Sequence, residues 1–279
     1  MADKILVCTD LSPNSKAAIR FAIQLASQNG SALVFYYAVK LMKPTRWSER
    51  QYSNYVTEQL QDAQERLMKF VNAEYKLSKT NPGRLQFAVE NAIEVDRSIS
   101  GFADRAKAKY ICLRTRGAGG MRKLIGSNAS LILTTSPIPV LVVPYNYRRS
   151  PVRTIFYSAD FNDLGRELKK VKEFAAPLKA GIAVYHYDYL LHVKENLDKL
   201  KKAATRYKSR GVVFHFQKQE IENSLAHHLK QDFKKSRASM AVLFTKQNRG
   251  WFERVFFASR SASISHVTTI PLLIFRKKK

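Results

Sequence analysis

The second half of this chain repeats the plan of the first, and that repeat constrains the fold more than any other feature. Val7 to Ala26 (VCTDLSPNSKAAIRFAIQLA) and Tyr157 to Ala175 (YSADFNDLGRELKKVKEFA) are each an apolar strand that runs into an aspartate, Asp10 or Asp160, then a polar cap, then an amphipathic helix. Ile125 to Pro144 and Phe257 to Phe275 are each a small-residue turn, a short helix, a proline and a closing apolar strand. The period is far longer than the roughly 20–50 residues of a solenoid unit and fits two copies of one domain. The 279 residues suffice for two domains that each bury a core.

Within the first copy the pattern alternates strictly. Lys4 to Thr9 is a buried, β-branched run of the kind found in parallel sheets. Ser12-Pro13 gives an N-cap and a first helical residue, Ala18, Phe21, Ala22 and Leu25 repeat at helical spacing, and Asn29-Gly30 closes the helix. Strands are expected at Ala32–Val39, Leu85–Val89, Tyr110–Leu113 and Val140–Val143. Between them lie a linker and long polar helix over 40–80 (Leu60, Ala63, Leu67 and Phe70 on one face), a helix over 93–108, and a Gly-rich loop leading to a helix from Ser127. The second copy repeats this order, with strands at 153–158, 181–186, 211–216, 240–245 and 271–275 and helices at 163–178, 190–209, 220–236 and 259–267. Alternation of this kind predicts an α/β chain of two tandem doubly wound open parallel sheets. The boundary is expected in the polar stretch Tyr145 to Pro151, giving domains over 1–146 and 151–279.

Composition narrows the setting. No apolar run approaches the ~18–20 residues that span a bilayer. The amino terminus leads straight into a strand, without an apolar leader. The two cysteines, Cys8 and Cys112, both lie in apolar strands, as reduced buried thiols would, and a cytoplasmic protein is expected. The charge is unusual: 48 Lys and Arg against 22 Asp and Glu leave +26, spread over both halves. Such a field either belongs to a solvated surface or attracts a polyanion, a nucleic acid or an anionic lipid surface. The same two readings apply to Lys199, Lys201, Lys202, Arg206, Lys208 and Arg210, interleaved with Leu197, Leu200 and Ala204. Tyr207, Phe214 and Phe216 alternate with strand periodicity and read as core.

Chemistry concentrates in Leu113 to Ser130, LRTRGAGGMRKLIGSNAS. Gly117, Gly119, Gly120 and Gly126 let backbone N–H groups approach an anion, and Ser127 opens a helix whose amino end favours phosphate. The same glycines also serve a plain strain-relieving turn. A strand ending in Thr9-Asp10, this loop, a helix opened by Gly126-Ser127 and an IPVLVVP strand together resemble the universal stress protein family over nearly the whole chain, as a tandem pair. The resemblance implies an adenine-nucleotide alpha-hydrolase-like sheet of order 3-2-1-4-5 that holds ATP or AMP at the carboxyl ends of its strands, with Mg accompanying ATP. Matched residue by residue, Asp10 would contact adenine with Thr9 beside it, Ala38 and Val39 would line the base pocket, and Gly117, Gly126 and Ser127 would hold phosphates. Arg114 stands where the family's G-x2-G-x9-G-[ST] pattern has its first glycine. Eight residues, not nine, separate Gly117 from Gly126. Arg114 therefore either clamps a phosphate or fills the space the nucleotide needs.

The second copy keeps Asp160 and Gly250 but has Ala258 at the last loop glycine and Trp251, Phe252, Phe256 and Phe257 around it, so it reads as a non-binding pseudo-copy. The family habit implies that the copies pack as a pseudo-dimer through Val140–Val143 and Leu272–Phe275, and a homodimer is open as well. Dedicated catalysis is not expected. All six histidines (His186, His192, His215, His227, His228, His266) lie in the second half without metal-ligand spacing, and the adjacent His227-His228 reads as solvated surface. No GxSxG elbow, GxxxxGK[ST] loop or HIGH, KMSKS or SGGxDS string occurs. Four functions stay open: stress-response sensing of adenine nucleotide by the first copy, a nucleotide-free tandem scaffold, polyanion binding by the basic surface, and a weak, incidental ATPase.

Overall fold

The computed structural model describes residues 2–80, 85–114, 127–159, 161, 163–188, 194–218, 225–245 and 270–277. The chain divides into two compact units, Met1–Arg149 and Ser150–Lys279. In the first, strands β1 (Lys4–Cys8), β2 (Ala32–Val39), β3 (Leu85–Asn91), β4 (Tyr110–Arg114) and β5 (Val140–Val143) pair in parallel in the order β3-β2-β1-β4-β5. Central β1 is apolar because helices cover both faces of it: Ile5, Leu6 and Val7 are fully buried. Helices α1 (Lys16–Asn29) and α2 (Glu49–Ser78) pack together, as do α3 (Val95–Arg105) and α4 (Ser127–Thr135). The doubly wound α/β architecture is as the alternation predicts.

Local chemistry sets where the helices start and stop. Gly30 takes φ +71 and returns its N–H to Ala26 O at 2.8 Å, a left-handed cap that glycine adopts without side-chain strain. Ser12 does not cap with its hydroxyl; a short 3-10 turn, Pro13–Ser15, precedes α1 instead. α2 opens on a capping box: Gln51 N donates to Ser48 Oγ at 3.3 Å, and Ser48 N to Gln51 Oε1 at 2.9 Å. Farther along α2, Glu74 is buried and ion-paired to α1 through Arg20 Nε (2.6 Å) and Lys16 Nζ (3.2 Å). A buried carboxylate is tolerable only with such partners, so this pair fixes how α1 and α2 meet.

The second unit repeats the plan. Strands β6 (Thr154–Ser158), β7 (Gly181–Asp188), β8 (Val212–Lys218), β9 (Met240–Thr245) and β10 (Leu272–Arg276) pair in parallel in the order β8-β7-β6-β9-β10. Its described helices are α5 (Leu164–Ala175), continued by a 3-10 turn over Ala176–Leu178, α6 (Lys194–Tyr207) and α7 (Leu225–Lys235). A Cβ at Gly165 would stand 2.6 Å from the Tyr207 hydroxyl, so the glycine is what lets that ring lie against α5. The expected helix over 93–108 is shorter at both ends; those over 190–209 and 220–236 end earlier, at Tyr207 and Lys235, and their expected starts lie outside the described residues, while β7 runs two residues past its expected end. The helix expected over 259–267 and the bulky residues Trp251 to Phe257 lie outside the described residues. Among the described residues no helix is long and apolar enough to cross a membrane.

Candidate functional site

In the first unit β1 lies between β2 and β4, and the connections leaving β1 and β4 run to opposite faces. A crevice therefore opens beyond the carboxyl ends of those two strands, where open α/β sheets bind ligands. The residues after β1 are bound into a tight turn. Thr9 N extends the ladder to Tyr36 O at 3.0 Å, and Thr9 Oγ1 accepts the Leu11 N–H at 3.0 Å. Ser15 Oγ donates to Ser12 O at 2.7 Å, which leaves the Thr9 hydroxyl as the donor in its 2.7 Å bond to Ser15. Thr9 is thus turned inward, where it shapes the turn. Leu11 takes φ +57 there, a left-handed conformation that costs a non-glycine residue roughly 1–2 kcal/mol.

That turn presents Asp10. Its Oδ1 accepts the Ser12 N–H at 3.1 Å, and its Oδ2 accepts Arg114 Nη2 at 2.5 Å. The aspartate side chain is 54% exposed and the arginine 18%, so the carboxylate faces the crevice with the guanidinium tucked beside it. Burial alone would raise the Asp10 pKa; the hydrogen bonds from Arg114 and Ser12 and the arginine charge outweigh it and hold the carboxyl below its ordinary value. The sheet register creates the pair, since Val7 lies beside Cys112 and brings the ends of β1 and β4 together.

Ala38 and Val39 end β2 half-buried, so they can wall a pocket next to Asp10. The chain leaving them is pinned by groups the sequence reading did not single out: Asn91 Oδ1 accepts Leu41 N at 2.9 Å, Asn91 Nδ2 donates to Tyr52 Oη at 3.1 Å, and Tyr52 Oη donates to Leu41 O at 3.1 Å. Ser15, Asn91 and Tyr52 hold the site's frame. Polar residues at the ends of predicted apolar strands were the available signal for Asn91. Of the remaining expected residues, Gly117 and Gly126 lie outside the described residues; Ser127 begins α4, whose amino end faces the same sheet edge because α4 returns the chain from β4 to β5.

The second unit fills the same positions with rings. Ala159 N bonds Tyr185 O at 2.8 Å, as Thr9 bonds Tyr36, while Asp160 lies outside the described residues. Phe161, in the place of Leu11, sits 4.5 Å from the His186 ring and 6.0 Å from Phe216. Tyr187, in the place of Ala38, donates to Asp232 Oδ2 at 2.8 Å. Phe244, in the place of Arg114, stacks on Phe275 at 4.9 Å, with Lys170 Nζ over both rings. His228, expected in solvent, is half-buried beside Tyr187 at 6.3 Å, because α7 turns that residue toward the sheet.

Two further features lie apart from this chemistry. A cleft of about 660 Å³ in the first unit opens at the opposite sheet end, among Lys4, Ile23, Ser31, Tyr75 and Leu85. Cys8 and Cys112 are free, buried thiols whose pKa values burial raises. Among the described residues no three His, Cys, Asp or Glu gather to hold a metal ion.

A family model described as the universal stress protein family matches residues 1–144. A universal stress protein from Archaeoglobus fulgidus DSM 4304 shares the fold at a TM-score of 0.69 and 12% identity, over 99% of both chains. A putative universal stress protein from Pseudomonas aeruginosa UCBPP-PA14 does so at 0.56 and 13% identity, over 99% of this chain and 93% of its own. A comparison with curated proteins gives no match.

Proposed function

Since the chain belongs to the universal stress protein family, we propose that its first unit senses adenine nucleotide in a stress response, binding ATP or AMP without turning it over, and that its second unit is a non-binding copy. The observation that carries this reading is Asp10: an ionised, half-exposed carboxylate at the β1/β4 crevice, stiffened by Arg114 and flanked by the small side chain of Ala38. A carboxylate has about four acceptor sites, so Asp10 can take the exocyclic amine of adenine once Arg114 gives way or shifts. The residues present fit the ligand. Asp10, Ala38 and Val39 would hold the base, and the helix amino end at Ser127, with the loop before it, would meet the phosphates. Magnesium would come with the triphosphate. On this reading the Arg114–Asp10 pair is a latch: the base competes with the guanidinium for the carboxylate, and nucleotide binding shifts the latch.

One specific observation favours a second reading. Arg114 already occupies Asp10, as it would in a scaffold that binds no nucleotide. Calorimetry with ATP and with AMP on the whole protein separates the two. If Arg114 is a latch, Arg114→Ala tightens binding about fivefold, the worth of about 1 kcal/mol for a partly exposed charge pair, and Asp10→Ala weakens it about ten- to a hundredfold. If neither the wild type nor Arg114→Ala takes up either nucleotide, the sensor reading fails and the scaffold stands.

A further inference from the structure

Carboxylates match only part of the positive charge of each unit. In the first, Arg20, Arg66, Arg97, Arg105 and Lys109 each meet a carboxylate. In the second, Lys199, Lys201, Lys202, Arg206, Lys208 and Arg210 are all exposed, and none of these six side chains makes an ion pair among the described residues. We infer that this outer face of α6 is a docking surface for the phosphate backbone of nucleic acid.

The helix is built for one-sided use. Leu200 and Ala204 are buried and anchor its inner side. Lys199, Lys202 and Arg206 follow at i, i+3 and i+7 on the outer side, neighbours roughly 5–6 Å apart along one stripe, a spacing that lets each cation meet a separate phosphate. Lys208 and Arg210, both exposed, follow the helix end at Tyr207, and Lys172 of α5 reaches the Tyr207 carbonyl at 3.4 Å, which adds a cation at that corner. The acids of α6, Glu195 and Asp198, are confined to its amino end. Left unpaired in water, such cations gain little from folding; opposite a polyanion they gain by releasing its condensed counterions.

A membrane surface fits less well. An amphipathic helix that lies in a bilayer needs exposed apolar side chains to insert. None of the large exposed apolar side chains lies on α6; Val213 of β8 is the one described in this unit. The surface offers charge without an apolar edge, and the surrounding rings of Phe214 and Phe216 are packed against Phe161. Contact with phosphates and no base reading is what this predicts.

The test is fluorescence anisotropy of the whole protein with a labelled 20-base-pair DNA duplex across a salt series. Lys199→Gln, Lys202→Gln and Arg206→Gln are combined in one variant. The control variant combines Arg50→Gln, Lys69→Gln and Lys76→Gln, exposed cations of α2 that likewise make no ion pair among the described residues. The wild type should bind with affinity that falls steeply with salt and is indifferent to base sequence. The α6 variant should lose more than tenfold and flatten the log–log salt slope by about two to three, at about 0.9 per phosphate contact. The control should lose less than threefold. No binding by the wild type, or equal losses in the two variants, would overturn the assignment, the latter by reducing it to bulk charge. So would vesicles containing phosphatidylserine binding in an α6-dependent way while DNA binding is unaffected.

Discussion

At the carboxyl end of β1 and β4 the first unit sets a carboxylate against a guanidinium, with an alanine beside them. At the same place the second unit sets Phe161, Tyr187 and Phe244. The strands beneath are the same in order and direction, and the first ladder bond past the central strand recurs, Thr9 to Tyr36 and Ala159 to Tyr185. One scaffold therefore supports a polar sheet end and an aromatic one. The difference teaches that the sheet's interior specifies the fold while its carboxyl edge is free to change. Side chains at the carboxyl ends of the strands take no part in the backbone ladder, so exchanging Ala38 for a Tyr187 equivalent or Arg114 for a Phe244 equivalent leaves the ladder intact. Buried polar groups were replaced along with the site. Tyr36 donates to Glu90 at 3.0 Å in the first unit, whereas in the second Tyr157 donates to Glu167 at 2.7 Å.

The sharpest way to break the comparison is to give the first unit the second unit's wall. Ala38→Tyr places a ring in the crevice beside Asp10, and nucleotide affinity should fall more than a hundredfold, over about 2.7 kcal/mol, with the melting temperature within a few degrees of wild type. Calorimetry and a thermal scan on the same sample read both quantities. Undiminished binding would mean that Ala38 does not border the ligand. The converse exchange tests what the second unit gained. Tyr187→Phe keeps the ring but strips the hydroxyl from Asp232, a buried carboxylate, and should destabilise the second unit by about 1–3 kcal/mol. Urea titration, with amide exchange used to assign the loss to β7 and α7, would show whether that bond matters; an unchanged midpoint would mean that Asp232 finds another partner.

A smaller effect sharpens the polar side of the comparison. The Arg114–Asp10 pair is partly exposed, so salt should weaken it. If it latches the site, the advantage of Arg114→Ala over wild type in AMP binding should shrink, by about twofold, between 50 mM and 500 mM salt. An advantage independent of salt would point to bulk rather than charge as the obstacle at position 114.

The sequence carried the repeated plan because strands and caps are local signals. Ala32–Val39, Val140–Val143 and Met240–Thr245 occur as read, and Gly30 closes α1 as its position suggests. Helix ends were overrun where no cap marked them, at 93–108 and 190–209. The capping box at Ser48 and Gln51 was visible in the sequence and would have placed the start of α2. The buried side of that helix was read through Leu60, Ala63, Leu67 and Phe70; the structure buries Ala63, Leu67, Val71 and Glu74, with Phe70 half-exposed under Lys16. A glutamate on an apolar stripe is invisible to hydropathy when its partners sit on another helix. The site divides the same way. Asp10 and Arg114 were each legible as residues, but they are 104 positions apart, and only the parallel register of β1 and β4 aims the guanidinium at the carboxylate. The replacement of Ala38 by Tyr187 was within reach of an alignment of β2 with β7; the bond from Tyr187 to Asp232 was not.

The least of the expected differences concerns pH, and its sign follows from one ring. His215 lies on β8, half-buried and stacked on Tyr185 at 4.5 Å. Burial lowers its pKa from the ordinary histidine value, and the opposing pull of Asp232 is weaker. A histidine that is harder to protonate when folded binds fewer protons than it does unfolded, once pH falls through the unfolded value of about 6.5. Its contribution is therefore complete above that pH and is lost as pH drops from there toward the folded pKa. All six histidines belong to the second half, so the first unit has no counterpart to this loss. Between pH 7.5 and 5.5 the second unit should lose stability by this route while the first does not, and His215→Phe, which keeps the stack without a titrating group, should abolish the difference. Amide exchange along β7 and β8, compared with β2 and β3 and corrected for the intrinsic pH dependence of exchange, measures it. If the two pairs of strands lose protection equally, or if the phenylalanine variant still shows the extra loss, the burial of His215 is not what distinguishes the units.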